Sequence, residues 1–327
     1  MTVISKSSPL LKLQAVKKYY PIKGGILKKV QAHVKAVENI DLEVFQGESL
    51  GIVGESGCGK STLGRTILGL EEITEGKIYY KDSEIQQLNE RKRKQFKREM
   101  QMVFQDPYAS LNPRQRIGHA LEEVLLIHTK LSKQARKKRV LSLLEEVGLK
   151  KEYYSRFPHE FSGGQRQRIG IARAIALNPS LVICDEAVSA LDVSVQAQVL
   201  KLLKNLQEKH QLTYVFISHD LGVVRYFCNR VLVMYLGNTM ELASSQQLYE
   251  NPLHPYTKAL LSSIPRPRVG NKSERIQLTG EIPNPANPPS GCPFHTRCLL
   301  ATELCIAQKP NWREIEDSHF IACHHIK

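Results

Sequence analysis

The sequence predicts an α/β fold in which short, continuously apolar strands alternate with helices and deliver polar residues to one sheet edge. Three stretches carry that expectation. Gly54-Glu55-Ser56-Gly57-Cys58-Gly59-Lys60-Ser61-Thr62 fits the phosphate-cradling pattern G-x-x-x-x-G-K-[ST] at every fixed position. Leu181-Val182-Ile183-Cys184 is an apolar run that ends in two carboxylates, Asp185 and Glu186. Thr213-Tyr214-Val215-Phe216-Ile217 is another, ending in Ser218-His219-Asp220. Such runs suit central strands buried on both faces, and open α/β sheets hold ligands beyond the carboxyl ends of those strands.

The glycine-rich stretch sits in the context its chemistry needs. Ser49-Leu50-Gly51-Ile52-Val53 before it reads as a buried strand, and Leu63, Ile67 and Leu70 after it recur at helical spacing. Its glycines let backbone N–H groups converge on phosphate oxygens, the helix N-terminus adds partial positive charge, and Lys60 adds a full one. The Ser61 hydroxyl can ligate Mg²⁺. The stretch therefore predicts a bound nucleotide.

Length and composition bound the rest. The 327 residues, 42% of them hydrophobic, suffice for one large domain and a smaller one with a substantial core. No apolar run approaches the roughly 18 residues that cross a bilayer, and Met1 to Lys6 lacks the apolar core of a signal peptide, so a soluble intracellular protein is expected. A formal net charge of +14 allows polyanion binding. Much of that surplus lies along helices, as in Arg136-Lys137-Lys138-Arg139. The densest run, Arg91 to Lys94 with Lys97 and Arg98, reads as a solvated helix face interleaved only with Phe96. Direct nucleic-acid binding is therefore not expected.

In chain order, Leu11 to Val16, Val34 to Val37 and Ile40 to Val44 alternate as strands, with a turn at Gly24-Gly25 and Tyr19 and Tyr20 closing the first. A hairpin-like segment around Gly76 to Tyr80 precedes the basic helix, and Met100 to Phe104 is a strand delivering Gln105 before Pro107. Helical structure is expected from about Arg114 to Phe157, with Ser132 as an N-cap, Val140, Leu143, Leu144 and Val147 on one face, and Gly148 as a stop. Phe161-Ser162-Gly163-Gly164-Gln165 opens a helix that ends before Pro179. Free N–H groups and the helix dipole make a second anion site there, while Ser162 alone suits a simple cap. Ser189 to Asp192 turns into a helix through Leu203, and Arg230 to Tyr235 with Thr239 to Leu242 completes the sheet. Asp185 can hold a metal through its water shell, and Glu186 can orient or deprotonate water; a lone histidine is usually structural, but His219 at a strand's carboxyl end is a candidate γ-phosphate contact.

In this order, the phosphate loop, Gln105, Phe161 to Gln165, Asp185-Glu186, Ser189 to Asp192 and His219 resemble the ATP-binding subunits of ABC transporters over roughly residues 11 to 262. The resemblance implies a P-loop NTPase (RecA-like) core with an antiparallel β subdomain and an inserted helical subdomain, the insert at about 107–178 of a domain at 1–262. It implies that Tyr20 stacks on adenine, that Gln105 senses the metal and the membrane subunits, and that Ser162 and Gly164 contact γ-phosphate, flanked by Gly163 and Gln165. Asp185 becomes the Mg²⁺ ligand with Ser61 and Gln105, Glu186 the catalytic base, Asp192 the dimer-spanning aspartate and His219 the switch histidine. Tyr20 to Gly25, Phe104 to Pro113 and Asn251 to Thr257 further resemble the second ATPase subunit of oligopeptide/dipeptide importers.

That resemblance implies ATP and Mg²⁺ as cofactors and hydrolysis that drives peptide import, with nickel or another small solute as the alternative cargo and a soluble ABC-type ATPase acting on nucleic acid as a more distant one. The implied partners are a paralogous ATPase subunit in preference to a second identical chain, two transmembrane permease subunits and an extracytoplasmic binding protein, with the chain peripheral on the cytoplasmic face of the membrane. The resemblance also implies that the phosphate loop and the Ser162 helix lie too far apart to share one phosphate, so that two chains face each other with ATP between them. One departure is Ala187 where the family usually has proline; it loosens a turn and leaves both carboxylates in place, so a modest change of rate is expected.

From about residue 264 the prolines at 265, 267, 283, 285, 288 and 289 make an extended connection to a C-terminal extension, 263–327. Cys58, Cys184 and Cys228 read as buried or half-buried side chains, but Cys292, Cys298, Cys305 and Cys323 crowd into the end of the chain. Their gaps exceed those of zinc ribbons and bacterial ferredoxins, so spacing does not name a metal. The importer resemblance implies a [4Fe-4S] cluster on these four, ahead of zinc and zinc ahead of free thiols; His295, His324 and His325 are near enough to substitute as ligands, although they read more simply as surface histidines.

Overall fold

The computed structural model describes residues 8–24, 29–106, 108, 110–264 and 276–326. It divides into two units: Met1–Val44 with Ser49–Gln86 and Ser218–Lys327, and Phe45–Glu48 with Gln87–Ile217. The first unit opens with β1 (Leu11–Gly24), β2 (Lys29–Val44), β3 (Ser49–Val53), α1 (Lys60–Ile67), β4 (Glu75–Tyr80) and β5 (Ser83–Glu84). Four of these make an antiparallel sheet ordered β2-β1-β4-β5. Leu11, Leu13 and Val16 are buried along β1. The period slips at Ala15, whose φ of 47° takes its N–H out of the ladder to the Asp41 carboxylate at 2.9 Å. β1 continues past Tyr19 and Tyr20 because β2 pairs with it as far as Gly24. Gly25, half of the expected turn, lies outside the described residues, as do Pro107, Pro265 and Pro267.

The second unit contains α2 (Glu90–Glu99), β6 (Met100–Val103), α3 (Ile117–His128), α4 (Lys133–Glu146), α5 (Gly163–Ile175), β7 (Leu181–Asp185), α6 (Val193–His210) and β8 (Thr213–Ile217). Along α2 only Phe96 is buried, so the basic run is a solvated face. The expected helical stretch resolves into α3, α4 and a 3-10 turn at Lys151–Ser155. Ser132 caps α4 by accepting from the Ala135 N–H at 3.2 Å, and Gly148 stops it at φ 73°. α6 runs beyond Leu203 to His210, since Leu206 continues its buried stripe and Gln211 closes it at φ 53°. β6, β7 and β8 are parallel neighbours, and every residue of β7 and β8 is buried. Continuous burial explains the unbroken apolar runs.

The chain then returns to the first unit through α7 (Leu221–Phe227), β9 (Arg230–Tyr235), β10 (Asn238–Ser244), α8 (Ser245–Glu250), α9 (Pro255–Ser262), α10 (Glu303–Ala307), β11 (Arg313–Glu316) and β12 (His319–Ile321). Here the strands run β11-β12-β10-β9-β3, with β3 and β9 parallel. The β11–β12 hairpin has no signal in the tail's cysteine spacing; it adds an edge to β10 through Glu241 opposite Ile321. No described helix is long and apolar enough to cross a membrane.

Glu241 is the polar hub of this unit. Fully buried, it accepts from the N–H groups of Leu253 and His254 at 2.8 and 3.0 Å and meets His319 Nε2 at 2.8 Å. Burial pushes its carboxyl up, but the bonds from His319 and those two N–H groups outweigh that and hold it below the usual range. Beside it, Tyr256 packs on Tyr235 and Phe294 with ring centroids 4.9 and 5.2 Å away. His254 Nδ1 accepts from the Tyr256 N–H at 3.0 Å, and burial pulls the imidazole down from 6.5 to about 4. Between those values the unfolded chain binds the proton and the folded chain does not, so stability falls as pH drops from 6.5 towards 4. The loss approaches roughly 3 kcal/mol. Thermal melts across this window are expected to show a falling Tm, and His254→Asn should flatten that fall.

Candidate nucleotide site

The phosphate loop leaves β3 and enters α1 with three glycines at positive φ: Gly54 at 151°, Gly57 at 78° and Gly59 at 100°. Two have no room for a side chain. A Cβ on Gly59 would lie 1.9 Å from the Ala36 carbonyl oxygen, and one on Gly54 would lie 2.2 Å from that of Met234. The loop is thus wedged against β2 and the end of β9. Lys60, only 5% exposed, folds back so that its ammonium donates to the carbonyls of Gly54 at 2.8 Å and Glu55 at 2.9 Å. Cys58 packs beneath with its Sγ 3.7 Å from that ammonium, and burial pushes its thiol up, so it is a spacer and not a nucleophile. Gly59 offers no side chain to cap α1, whose N-terminus therefore follows directly on the loop.

Tyr20 and His219 belong to the same unit. Tyr20 lies opposite Val34 in the β1–β2 pair and is half-buried, with the Lys18 ammonium 4.8 Å from its ring centroid. His219 is exposed at the start of the turn where Asp220 N–H donates to Ser218 Oγ at 3.0 Å.

In the second unit, Asp185 ends β7 opposite Ile217 and is 3% exposed. Glu186 follows it with φ 47°, a left-handed backbone that costs a non-glycine residue on the order of 1 kcal/mol. A turn holds it there: Glu186 N–H donates to Ile217 at 3.0 Å, and its own carbonyl accepts the Ser189 N–H and hydroxyl at 3.1 and 2.9 Å. The result aims the Glu186 carboxylate at Gln105, whose Nε2 donates to Oε2 at 2.9 Å. The two residues are 81 apart in sequence. Ala187, buried, continues the turn where the loosening was expected.

Ser162 caps α5 in a capping box. Gln165 N–H donates to its hydroxyl at 3.4 Å, and Ser162 N–H donates to the Gln165 side chain at 3.1 Å. A Cβ on Gly164 would meet Val195 Cγ1 at 2.4 Å, so this glycine serves close approach to α6. Asp192 caps α6 through the Val195 N–H at 3.0 Å and accepts the Ser194 hydroxyl at 2.8 Å. Those bonds hold its carboxyl below the usual range.

Sequence reasoning missed two contacts in the first unit. The Tyr256 hydroxyl accepts the Glu55 N–H at 2.9 Å, and the Arg297 guanidinium grips the Glu55 carboxylate at 2.6 and 3.1 Å. They lie 201 and 242 residues from the loop, and nothing local marks them.

Of the tail cysteines, Cys292, Cys305 and Cys323 are buried and Cys298 is half-buried. Burial pushes the Cys292 thiol up to about 11 and raises Cys298 and Cys323, with neighbouring thiols adding to the shift. Cys305 Sγ lies 3.4 Å from His325 Nε2. Among the described residues, no three or more His, Cys, Asp or Glu side chains are placed together as a metal cage.

Residues 37–189 match the ABC transporter family, and residues 240–305 match the oligopeptide/dipeptide transporter C-terminal region. The chain is 55% identical over 318 residues to the oligopeptide transport ATP-binding protein AppF of Bacillus subtilis, covering 96% of this chain and 97% of that protein. It is 51% identical over 323 residues to the dipeptide transport ATP-binding protein DppF of Haemophilus influenzae, covering 99% and 98%. A dimeric post-hydrolysis structure of the ATP-binding cassette MJ0796, bound to ADP and Pi, aligns with a TM-score of 0.64 at 31% identity, covering 72% of this chain and 98% of that one. The fold and the phosphate loop are those of an ATP-binding cassette in the P-loop NTPase class. Within that class the chain belongs to the ABC transporter family, on the branch of the oligopeptide and dipeptide ATP-binding proteins.

Gly59→Ala should weaken nucleotide binding, because its Cβ collides with backbone at a φ that L-residues avoid. Equilibrium titration with a fluorescent ATP analogue is expected to show a loss of at least about tenfold.

Proposed function

We propose that this chain hydrolyses ATP as one of two facing cassettes and thereby drives import of di- and oligopeptides through partner membrane subunits. The observation that best supports it is the Gln105–Glu186 bond at 2.9 Å, which sets a carboxylate beyond the end of a buried strand, beside Asp185. Glu186 acts as general base: it takes a proton from water as the water oxygen bonds to the γ-phosphorus and the bond to the β-bridging oxygen breaks. Lys60 and the loop N–H groups hold the phosphates, Tyr20 stacks on the base, and His219 contacts the γ-phosphate. Mg²⁺, held by Ser61 and Asp185 with Gln105 alongside, would neutralise phosphate charge.

Ser162 and Gly164 contact the nucleotide on the partner's phosphate loop, and Asp192 spans the pair. Loss of the γ-phosphate then lets the two chains separate, which is the movement a transporter uses. The facing chain is a paralogous ATPase subunit, and the assembly includes two permease subunits and an extracytoplasmic binding protein, with this chain at the cytoplasmic face. Both AppF and DppF are peptide transport ATP-binding proteins, which supports a peptide as the cargo. In the tail, four cysteines, three of them buried and all but Cys323 on the segment that matches the oligopeptide/dipeptide transporter C-terminal region, support a [4Fe-4S] site, although they form no cage as they stand. A brown chromophore with stoichiometric iron and sulfide in anaerobically purified protein is the result expected; colourless protein with zinc or no metal excludes it.

Glu186→Gln is expected to bind ATP, accumulate as a closed pair on size exclusion and lose at least about a hundredfold in turnover. Wild-type turnover in that variant removes Glu186 as the base. Affinity purification of the tagged chain from membranes should recover permease subunits and a second ATPase, and recovery of the chain alone would overturn the importer assembly.

A further inference from the structure

Glu55 occupies an awkward place. Its carboxylate belongs to a loop whose backbone must receive a polyanion, and its side chain is only 24% exposed. An unpaired carboxylate so placed would repel phosphate and would itself be poorly solvated. Every polar group of Glu55 instead has a partner: its N–H donates to the Tyr256 hydroxyl at 2.9 Å, its carbonyl accepts from Lys60 at 2.9 Å, and its carboxylate takes both terminal nitrogens of Arg297 at 2.6 and 3.1 Å. Arg297 is itself fixed. It is 8% exposed, sits in a one-turn 3-10 segment between Cys292 and Cys298, reaches the Tyr235 hydroxyl at 3.4 Å, and lies beside the cluster of Tyr235, Tyr256 and Phe294. A planar fork held in a packed wall is what bidentate neutralisation of a carboxylate requires.

We propose that Arg297 is a positioning residue of the nucleotide site: it neutralises Glu55 and holds that carboxylate away from the phosphates, so that the tail completes the phosphate loop. The inference rests on the nucleotide reading of Gly54 to Thr62 and deepens it, because it makes phosphate affinity depend on a residue outside the ATPase core. Binding, and not the chemical step, is the quantity it governs.

The test measures ATP and ADP dissociation constants and melting temperature for the full-length chain and for Arg297→Gln, Arg297→Lys, Glu55→Gln and the double variant Glu55→Gln/Arg297→Gln. Arg297→Gln should weaken ATP on the order of fivefold, the effect of one unpaired charge near the phosphates at a partly solvated site, and should weaken ADP less. Arg297→Lys, which keeps the charge and loses the fork, should fall between wild type and Arg297→Gln. The double variant should return to within about twofold of wild type, because removing the carboxylate removes the need for the arginine. A purely structural arginine would instead weaken ATP and ADP equally, and the double variant would stay defective. Wild-type ATP affinity in Arg297→Gln, or a defect that persists in the double variant, overturns the proposal. If Arg297→Gln alone is not recovered folded, the double variant decides: folded with near wild-type affinity supports the role, and folded with weak binding rejects it. Failure of the wild-type chain to bind ATP would reject the nucleotide reading itself, a result distinct from either of these.

Discussion

The phosphate loop depends on space that no side chain can share. Gly59 rests against the Ala36 carbonyl and Gly54 against that of Met234, each at a distance that excludes a Cβ. Ala36 lies on β2 and Met234 on β9, so one short loop fixes where strands from both ends of the first unit must pass. Close packing of backbone on backbone is stiff, because neither partner has a rotamer to yield. The loop N–H groups are consequently preorganised, and nucleotide binding need not meet the entropic cost of ordering them.

A second constraint carries the loop's geometry outward into the tail. Glu241 on β10 collects the N–H groups of Leu253 and His254 and the ring of His319, and His254 in turn accepts from Tyr256. Tyr256 then meets the Glu55 N–H, and Arg297 meets the Glu55 carboxylate. A chain of buried polar bonds thus runs from the last strand to the phosphate loop. Each link is expensive to leave unpaired, which is why the tail folds onto the same unit as the loop it touches.

The second unit solves a different problem, how to hold the Glu186 carboxylate still. Glu186 has a left-handed backbone that costs energy in isolation, and the Ile217 and Ser189 bonds over-determine it. Strain at this position turns the side chain toward Gln105. Ser162 and Asp192 illustrate the opposite economy: each caps its own helix, a local bond that fixes where the side chain sits without backbone strain.

Much was legible in the sequence. Continuous apolar runs identified β3, β7 and β8 because both faces of those strands are buried, and the glycine spacing of the loop announced its turn because positive φ admits little else. Ser132 and Gly148 marked their helix ends for equally local reasons, hydrogen-bond capping and left-handed closure. What only tertiary structure decided lies at long range. The β11–β12 hairpin, the Gln105–Glu186 bond and the Arg297–Glu55 pair join residues whose separation carries no periodic or compositional trace. Local patterns report which groups a backbone conformation tolerates, and the sequence determined those alone. Which distant side chain neutralises a buried charge is set by where the folded sheets bring the chain back, and that was decided only by the fold.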